Sequence, residues 1–159
     1  MNKWGKIAIG AGLLFGGGYV FRMNRTSTNL EIEINTSILS LKLTGVTVKV
    51  DAKIKNPTDG SLKIKYPFFK LIFKGETLGS SQVIDKNINI LSFGEAKIEG
   101  MLITIPLSGI FSIGMEMLTS LKTKTGVKVT VKVITTIYTV FSSIPYEQEI
   151  EQVLKVAKQ

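Results

Sequence analysis

Along most of this chain apolar and polar side chains alternate with period two, the pattern of strands with one buried and one wet face. In Leu30-Glu31-Ile32-Glu33-Ile34 the polar positions are acids, and Ile38 to Leu43 continues the strand after a bend. Val46, Val48, Val50, Ala52 and Ile54 then point one way while Thr47, Lys49, Asp51, Lys53 and Lys55 point the other, which makes this the clearest strand in the sequence. Leu62, Ile64 and Tyr66 resume against Lys63 and Lys65, and after Pro67 the residues Phe69, Leu71 and Phe73 alternate with Lys70 and Lys74. Val83 to Ile90 and Glu95 to Ile105 predict weaker strands, the second interrupted at Ile98, Leu102 and Pro106. Val127, Val129, Val131 and Val133 alternate with Lys128, Thr130 and Lys132, and the β-rich stretch runs on through Ile137 to Phe141. Pro145 punctuates it before a last strand over Tyr146 to Ile150 and a helical tail over Glu151 to Lys158.

Two segments carry turn chemistry. Asn56-Pro57-Thr58-Asp59-Gly60 supplies a side-chain cap, a fixed φ and a permissive backbone, and Gly75-Glu76-Thr77-Leu78-Gly79 turns the chain again. Between 108 and 122 the rhythm changes: Ile110, Phe111, Met117, Leu118 and Leu121 fall near one helical face, so one short helix is expected there. About seven short strands with intervening turns and a single helix predict a mainly β chain folded as an antiparallel β-sandwich.

The N-terminus follows another rule. From Ile7 to Phe21 there are 15 residues with no charged or strongly polar side chain, including Leu13, Leu14 and Phe15. As a helix that run covers only about 22 Å, but starting at Trp4 with Lys6 snorkelling it reaches about 27 Å, close to a bilayer's hydrocarbon core. Trp4 and Tyr19 near its ends, with Lys3, Lys6, Arg22 and Arg25 as flanks, match the interfacial belts of a transmembrane helix. The competing reading is a cleaved signal peptide, with Lys3 and Lys6 as its basic region, Ile7 to Phe15 as its apolar stretch and Gly16-Gly17-Gly18 as the peptidase site. Two basic side chains on each side give the positive-inside rule no asymmetry from which to read orientation. Gly12 and Gly16 form a GxxxG pair, as chance also produces in so glycine-rich a stretch. The polar residues 22–29 read as a linker, which divides the chain into an anchor and linker at 1–28 and a β domain at 29–159.

Composition narrows the chemistry. The 159 residues include no cysteine and no histidine, which excludes disulfides, Cys/His zinc sites, thiol nucleophiles and any triad with an imidazole base. The net charge of +8 is uneven: residues 1–28 carry four bases and no acid, and residues 49–74 carry seven lysines against Asp51 and Asp59. Lys49, Lys53 and Lys55 share one strand face and Lys63 and Lys65 another, so if those strands were neighbours they would form one surface for anionic lipid or nucleic acid. A solvated face that discourages edge-to-edge aggregation explains the same lysines. Tyr66, Phe68, Phe69 and Phe73 interleave with lysines, but no RNA-binding signature surrounds them and alternation sends Phe69 and Phe73 to the core. Glu147, Glu149 and Glu151 alternate as a solvated face, since no Asp/Gly-rich loop or second acidic cluster accompanies them. Gly16-Gly17-Gly18 lies inside the apolar run and so makes no phosphate loop, and Asn24-Arg25-Thr26 and Asn35-Thr36-Ser37 are glycosylation sequons by pattern only.

The alternating valine strand ending in Asn56-Pro57, the strand with Tyr66 and Phe69, and Lys74-Gly75-Glu76-Thr77-Leu78-Gly79 occur in an order that resembles the water-stress-and-hypersensitive-response (WHy) domain of the late embryogenesis abundant type 2 family. The later order of helix, long strand and Ile144-Pro145-Tyr146 is similar too, so that the resemblance spans about residues 30–151. It implies an immunoglobulin/fibronectin-like β-sandwich without an active site, in a protective, binding or structural role and often at a membrane. Asn56, Pro57, Gly75 and Gly79 then serve as structural turn residues. The lysine-rich faces depart from the pattern.

The expectation is a non-enzymatic, single-pass membrane protein whose sandwich is a structural or interaction module. It predicts a lipid bilayer and protein partners or a second copy as neighbours, with nucleic acid the weaker candidate and no cofactor, metal or small-molecule substrate. The alternatives are a building block of a larger membrane-associated assembly such as a membrane-containing virion, and a secreted desiccation-protective protein released by signal cleavage.

Overall fold

The computed structural model of the chain describes residues 30–42, 44–106 and 126–155, with Ser108 and Thr119. The predicted transmembrane segment at 4–21 and nearly all of the helix predicted at 108–122 lie outside the described residues. Among those described, no helix is long and apolar enough to cross a membrane.

Among the described residues nine strands form: β1 Glu31–Lys42, β2 Gly45–Lys55, β3 Leu62–Lys65, β4 Phe68–Phe73, β5 Glu76–Ser80, β6 Asn87–Ile90, β7 Glu95–Pro106, β8 Val127–Tyr138 and β9 Ser143–Leu154. All pairings are antiparallel. One sheet has the order β1-β2-β7, and the other is built on β8, which pairs β9 on one side and β3 and β4 on the other. Pro67 explains that second arrangement. A proline has no N–H for the ladder, so the chain breaks between β3 and β4, and the two short strands then share one edge of β8. β6 extends the sheet beyond β3, and β5 extends it beyond β4.

Period two decides the core. Ile32, Ile34 and Ile38 from β1, Val46 to Ile54 at alternate positions of β2, and Ile103 and Ile105 from β7 bury one face of the first sheet. They pack with Ile64, Phe69, Leu71, Val129, Val131, Val133 and Ile150 from the second in one apolar cluster, so the two sheets form a β-sandwich. Phe69 and Phe73 are both buried in it, where alternation sends them. Along one side the sheets are stitched by Ile38 N–H donating to the Lys155 carbonyl at 2.9 Å.

The interruption in β7 is a bulge. Val50 faces Met101 but Ala52 faces Ile98, so two steps along β2 match three along β7. Gly100 takes φ +73° and its N–H donates to Asp51 Oδ1 at 2.7 Å, which pins the extra residue. Ile98 and Met101 therefore both point inward although three residues apart.

Three sequence expectations are corrected by pairing. The Gly75–Gly79 turn is confined to Lys74 and Gly75, both at positive φ, and Glu76 to Ser80 is strand β5. The strand over Val83 to Ile90 shrinks to Asn87–Ile90. The helical tail does not begin at Glu151, because β9 stays in register with β8 as far as Leu154 opposite Val127. A free edge on β8 offers that segment a ladder, and tertiary pairing overrides a weak local helix preference.

Candidate functional site

The lysines singled out by the sequence do not form one surface, because β2 and β3 belong to different sheets. On the outer face of the first sheet each β2 lysine stands beside acids. Register sets Lys55 between Glu31 and Glu95, and Lys53 between Glu33 and Lys97. The buried carboxylate of Glu33 accepts from Lys55 Nζ at 2.6 Å, with Lys53 Nζ 3.9 Å away, while Lys49 Nζ lies 3.2 Å from Asp51 Oδ2. The Glu33 carboxylate holds the Lys55 ammonium above its usual pKa of 10.5. The β2 lysines thus stand among carboxylates that offset part of their field, while Lys63, Lys65 and Lys70 of the same lysine-rich run lie in the other sheet.

In the second sheet Lys63 Nζ sits 5.9 Å from the Tyr138 ring centroid, and Lys65 Nζ is 3.9 Å from Asp85 Oδ1. Glu147 of the predicted acidic face pairs with Lys132 at 2.9 Å. Beside the β7 bulge a depression of about 100 Å³ is lined by Ala52, Lys53, Lys97 and Glu99. That is room for a few waters, well under the roughly 300–1,000 Å³ of small-molecule pockets. Among the described residues no group of three or more His, Cys, Asp or Glu is arranged to hold a metal ion.

Asn56, at the end of β2, is tied into its surroundings by both ends of its side-chain amide. It is buried, its amide donates to the carbonyls of Gly60 at 2.7 Å and Leu91 at 3.1 Å, and the Ile90 carbonyl lies 3.3 Å away. Its Oδ1 accepts from Thr58 N–H at 3.0 Å and Thr58 Oγ1 at 2.7 Å, a local Asx turn that Pro57 supports with its fixed φ. Its own N–H donates to the Gly94 carbonyl at 2.9 Å, and Phe93 N–H returns to the Thr58 carbonyl at 3.0 Å. Asn56-Pro57 thus joins the β2–β3 loop to the β6–β7 loop. Gly79 has a different role from the one its motif suggests: it lies in β5, where a Cβ would stand 2.8 Å from the Thr104 carbonyl oxygen. Gly75, at φ +84°, is a true turn glycine.

The same end of the sandwich carries four side chains that the sequence reading passed over. Leu91 is 71%, Phe93 73%, Val140 93% and Phe141 97% exposed, whereas β8 alternates cleanly between buried and outward positions along its whole length. The β-rich stretch predicted to reach Phe141 stops at Tyr138, and Thr139 to Ser142 form a tight turn in which Thr139 N–H donates to the Ser142 carbonyl at 2.8 Å. The adjacent pair Val140-Phe141 breaks period two, and that break was the available signal. Phe93 adopts φ +54°, unusual for a bulky residue, and the Thr58 and Leu91 carbonyls hold its turn through Phe93 N–H and Gly94 N–H.

Tyr146 ties β9 to the start of the domain. Its buried hydroxyl lies 3.2 Å from the Leu30 carbonyl oxygen and 2.9 Å from Gln148 Oε1, so its single proton serves one acceptor at a time. Burial pushes its pKa from 10.0 up to about 12. The unfolded chain therefore releases this proton near pH 10 while the folded chain keeps it. The stability it contributes is whole below pH 10 and is lost as pH rises through about 12, by about 2–3 kcal/mol in total. Urea midpoints are expected to fall across that window in the native chain and to fall less in Tyr146→Phe; equal slopes would contradict the assignment.

No family model matches the chain, and no curated protein matches it. Solved structures do resemble it. The crystal structure of an Archaeoglobus fulgidus protein overlaps at a TM-score of 0.51 and 10% identity, over 84% of this chain and 99% of that one. A Bordetella pertussis protein assigned as ApaA overlaps at 0.51 and 8% identity, over 83% and 97%. A protein assigned to the late embryogenesis abundant group overlaps more loosely, at a TM-score of 0.40 and 12% identity over 96% and 83%. At the identities of the first two the likeness is one of fold, a β-sandwich spanning almost the whole of each of those chains.

Proposed function

We propose that this chain is a membrane-anchored, non-enzymatic structural or interaction module, in which residues 4–21 enter a bilayer and residues 29–159 form a WHy-like sandwich of the immunoglobulin/fibronectin type. The observation that carries this reading is the 15-residue uncharged run from Ile7 to Phe21, with Tyr19 near its end, Trp4 and four basic side chains flanking it, and a short polar linker to the first strand. Aromatic rings sit at headgroup level and cations meet lipid phosphates, so each flank stabilises the same placement. A module role fits the chain's lack of histidine and cysteine, which removes the commonest bases and nucleophiles. Family placement rests on Asn56-Pro57, Tyr66, Phe69 and the Gly75 to Gly79 order, and the Asn56 network gives that motif a physical reason in the joining of two loops.

Membrane extraction tests the anchor. Membranes bearing the full-length chain are expected to retain it through high salt and alkaline carbonate and to release it only to detergent. Release of the intact chain by carbonate alone overturns the reading.

A further inference from the structure

We infer that the end of the sandwich bearing Leu91, Phe93, Val140 and Phe141 seats on the surface of the bilayer that residues 4–21 enter, with these four side chains in its interfacial layer. The inference rests on the anchor proposed above and adds an orientation to it. Its first support is position. Register brings the start of β1 to the end of β2 at Glu31 and Lys55, the end of β2 to the start of β7 at Lys55 and Glu95, and the start of β3 to the ends of β6 and β8 at Ile90 and Tyr138. Leu30, where the chain arrives from the apolar segment, is joined to the same end by the Tyr146 hydroxyl. The two apolar loops therefore lie on either side of β3, about 10 Å apart at ordinary strand spacing, at the end where the linker enters.

The second support is reach. Residues 22–29 are eight, so the linker spans at most about 28 Å. A domain tethered that closely meets the membrane at high effective concentration, and modest apolar contacts suffice to orient it.

The third is chemistry. Residues 87–94 and 133–146 contain no charged side chain, although a fifth of the whole chain is charged, and both runs lead to this end. The charged residues that register brings to this end, Glu31, Lys55, Asp59, Lys63 and Glu95, sit on the strand ends and the β2–β3 loop rather than in the two apolar tips. The tips therefore enter the headgroup layer without taking a charge with them. Both tips are rigid: the first is clamped by Asn56 and Thr58, and the second by the Thr139–Ser142 turn. Little ordering entropy opposes insertion. Among the described residues the other exposed large apolar side chains are Val83, between β5 and β6, and the less exposed Leu39, Leu41, Leu102 and Val153, which lie along strands rather than in loops at this end.

The chain lends itself to a direct test, because it has no cysteine and a single tryptophan, Trp4. The full-length protein carrying Ser142→Cys labelled with an environment-sensitive fluorophore would be reconstituted in phosphatidylcholine–phosphatidylglycerol vesicles with brominated lipid as quencher. Glu76→Cys, at the opposite end beside the β4–β5 turn, is the control. Trp4 quenching in the same samples reports the anchor by itself. The expected result is quenching of Trp4 and of the label at 142, at least about twofold over the label at 76. Adding Val140→Ser and Phe141→Ser should abolish the quenching at 142 while leaving Trp4 quenched. Trp4 quenched with the labels at 142 and 76 alike overturns the seating and leaves the anchor standing. Trp4 unquenched overturns the anchor, and the inference with it. A label at 142 that is shielded from water but not quenched by lipid means that a second copy or another protein covers this end, which also overturns it.

Discussion

Replacing Asn56 by aspartate is expected to lower folding stability by about 3–5 kcal/mol, the range for an uncompensated buried charge. The asparagine amide donates to the Gly60 and Leu91 carbonyls, with the Ile90 carbonyl also within reach. A carboxylate would place an acceptor against three acceptors at a buried position, with the Thr58 donors to offset part of the cost. Asn56→Ala removes the same donors without adding charge and should cost about 2–3 kcal/mol. The aspartate variant should recover part of its loss at acid pH, where the protonated group can donate once. Urea midpoints at neutral and acid pH measure both effects, and an aspartate variant within 1 kcal/mol of native at neutral pH would show that the motif does not carry the loop junction.

Gly79→Val is expected to cost about 3 kcal/mol and Gly79→Ala about 2 kcal/mol, in the range for overpacking at a closed site. The reason is the approach of β5 to β7. A Cβ at residue 79 would stand 2.8 Å from the Thr104 carbonyl oxygen and 2.9 Å from Ile103 Cγ2, and the first of these is backbone, which cannot swing aside. Gly60→Ala is the matched control, since nothing lies within 4 Å of its Cβ position, and it should stay within about 0.5 kcal/mol of native. Thermal or urea unfolding of the three variants decides the matter. Gly79→Ala as stable as Gly60→Ala would mean that the two sheets do not close at this edge.

The sandwich was legible wherever a strand keeps one face in the core from end to end. β2 is the clearest case, with Val46 to Ile54 buried as alternation demands, and the valines of β8 follow the same rule. Legibility failed where the answer depends on a partner strand. Glu99-Gly100 shifts β7 by one residue only because Asp51 on β2 captures the Gly100 N–H, and no local pattern announces that. Gly79 reads as a turn residue in sequence and is a packing residue in space, because what it approaches lies 25 positions further along the chain. Glu151 to Leu154 suit a helix locally but find an open ladder on β8.

The candidate sites divide along the same line. The role of Asn56-Pro57 in a structured turn could be read from residue chemistry, but its hold on the β6–β7 loop could not. The lysines of β2 looked cationic because Glu33, Glu31 and Glu95 stand far from them in sequence and beside them in register. Phe141 looked like a strand residue because the turn that exposes it is made by Thr139 and Ser142, residues as common in strands and loops as in turns.

The anchored module is tested most directly by the intact mass of the native chain recovered from washed membranes. The account predicts a full-length chain of 17.4 kDa, Trp4 to Phe21 included, in the detergent extract alone. A soluble chain beginning near Tyr19 would contradict it, making the N-terminal run a targeting peptide and the sandwich a secreted domain.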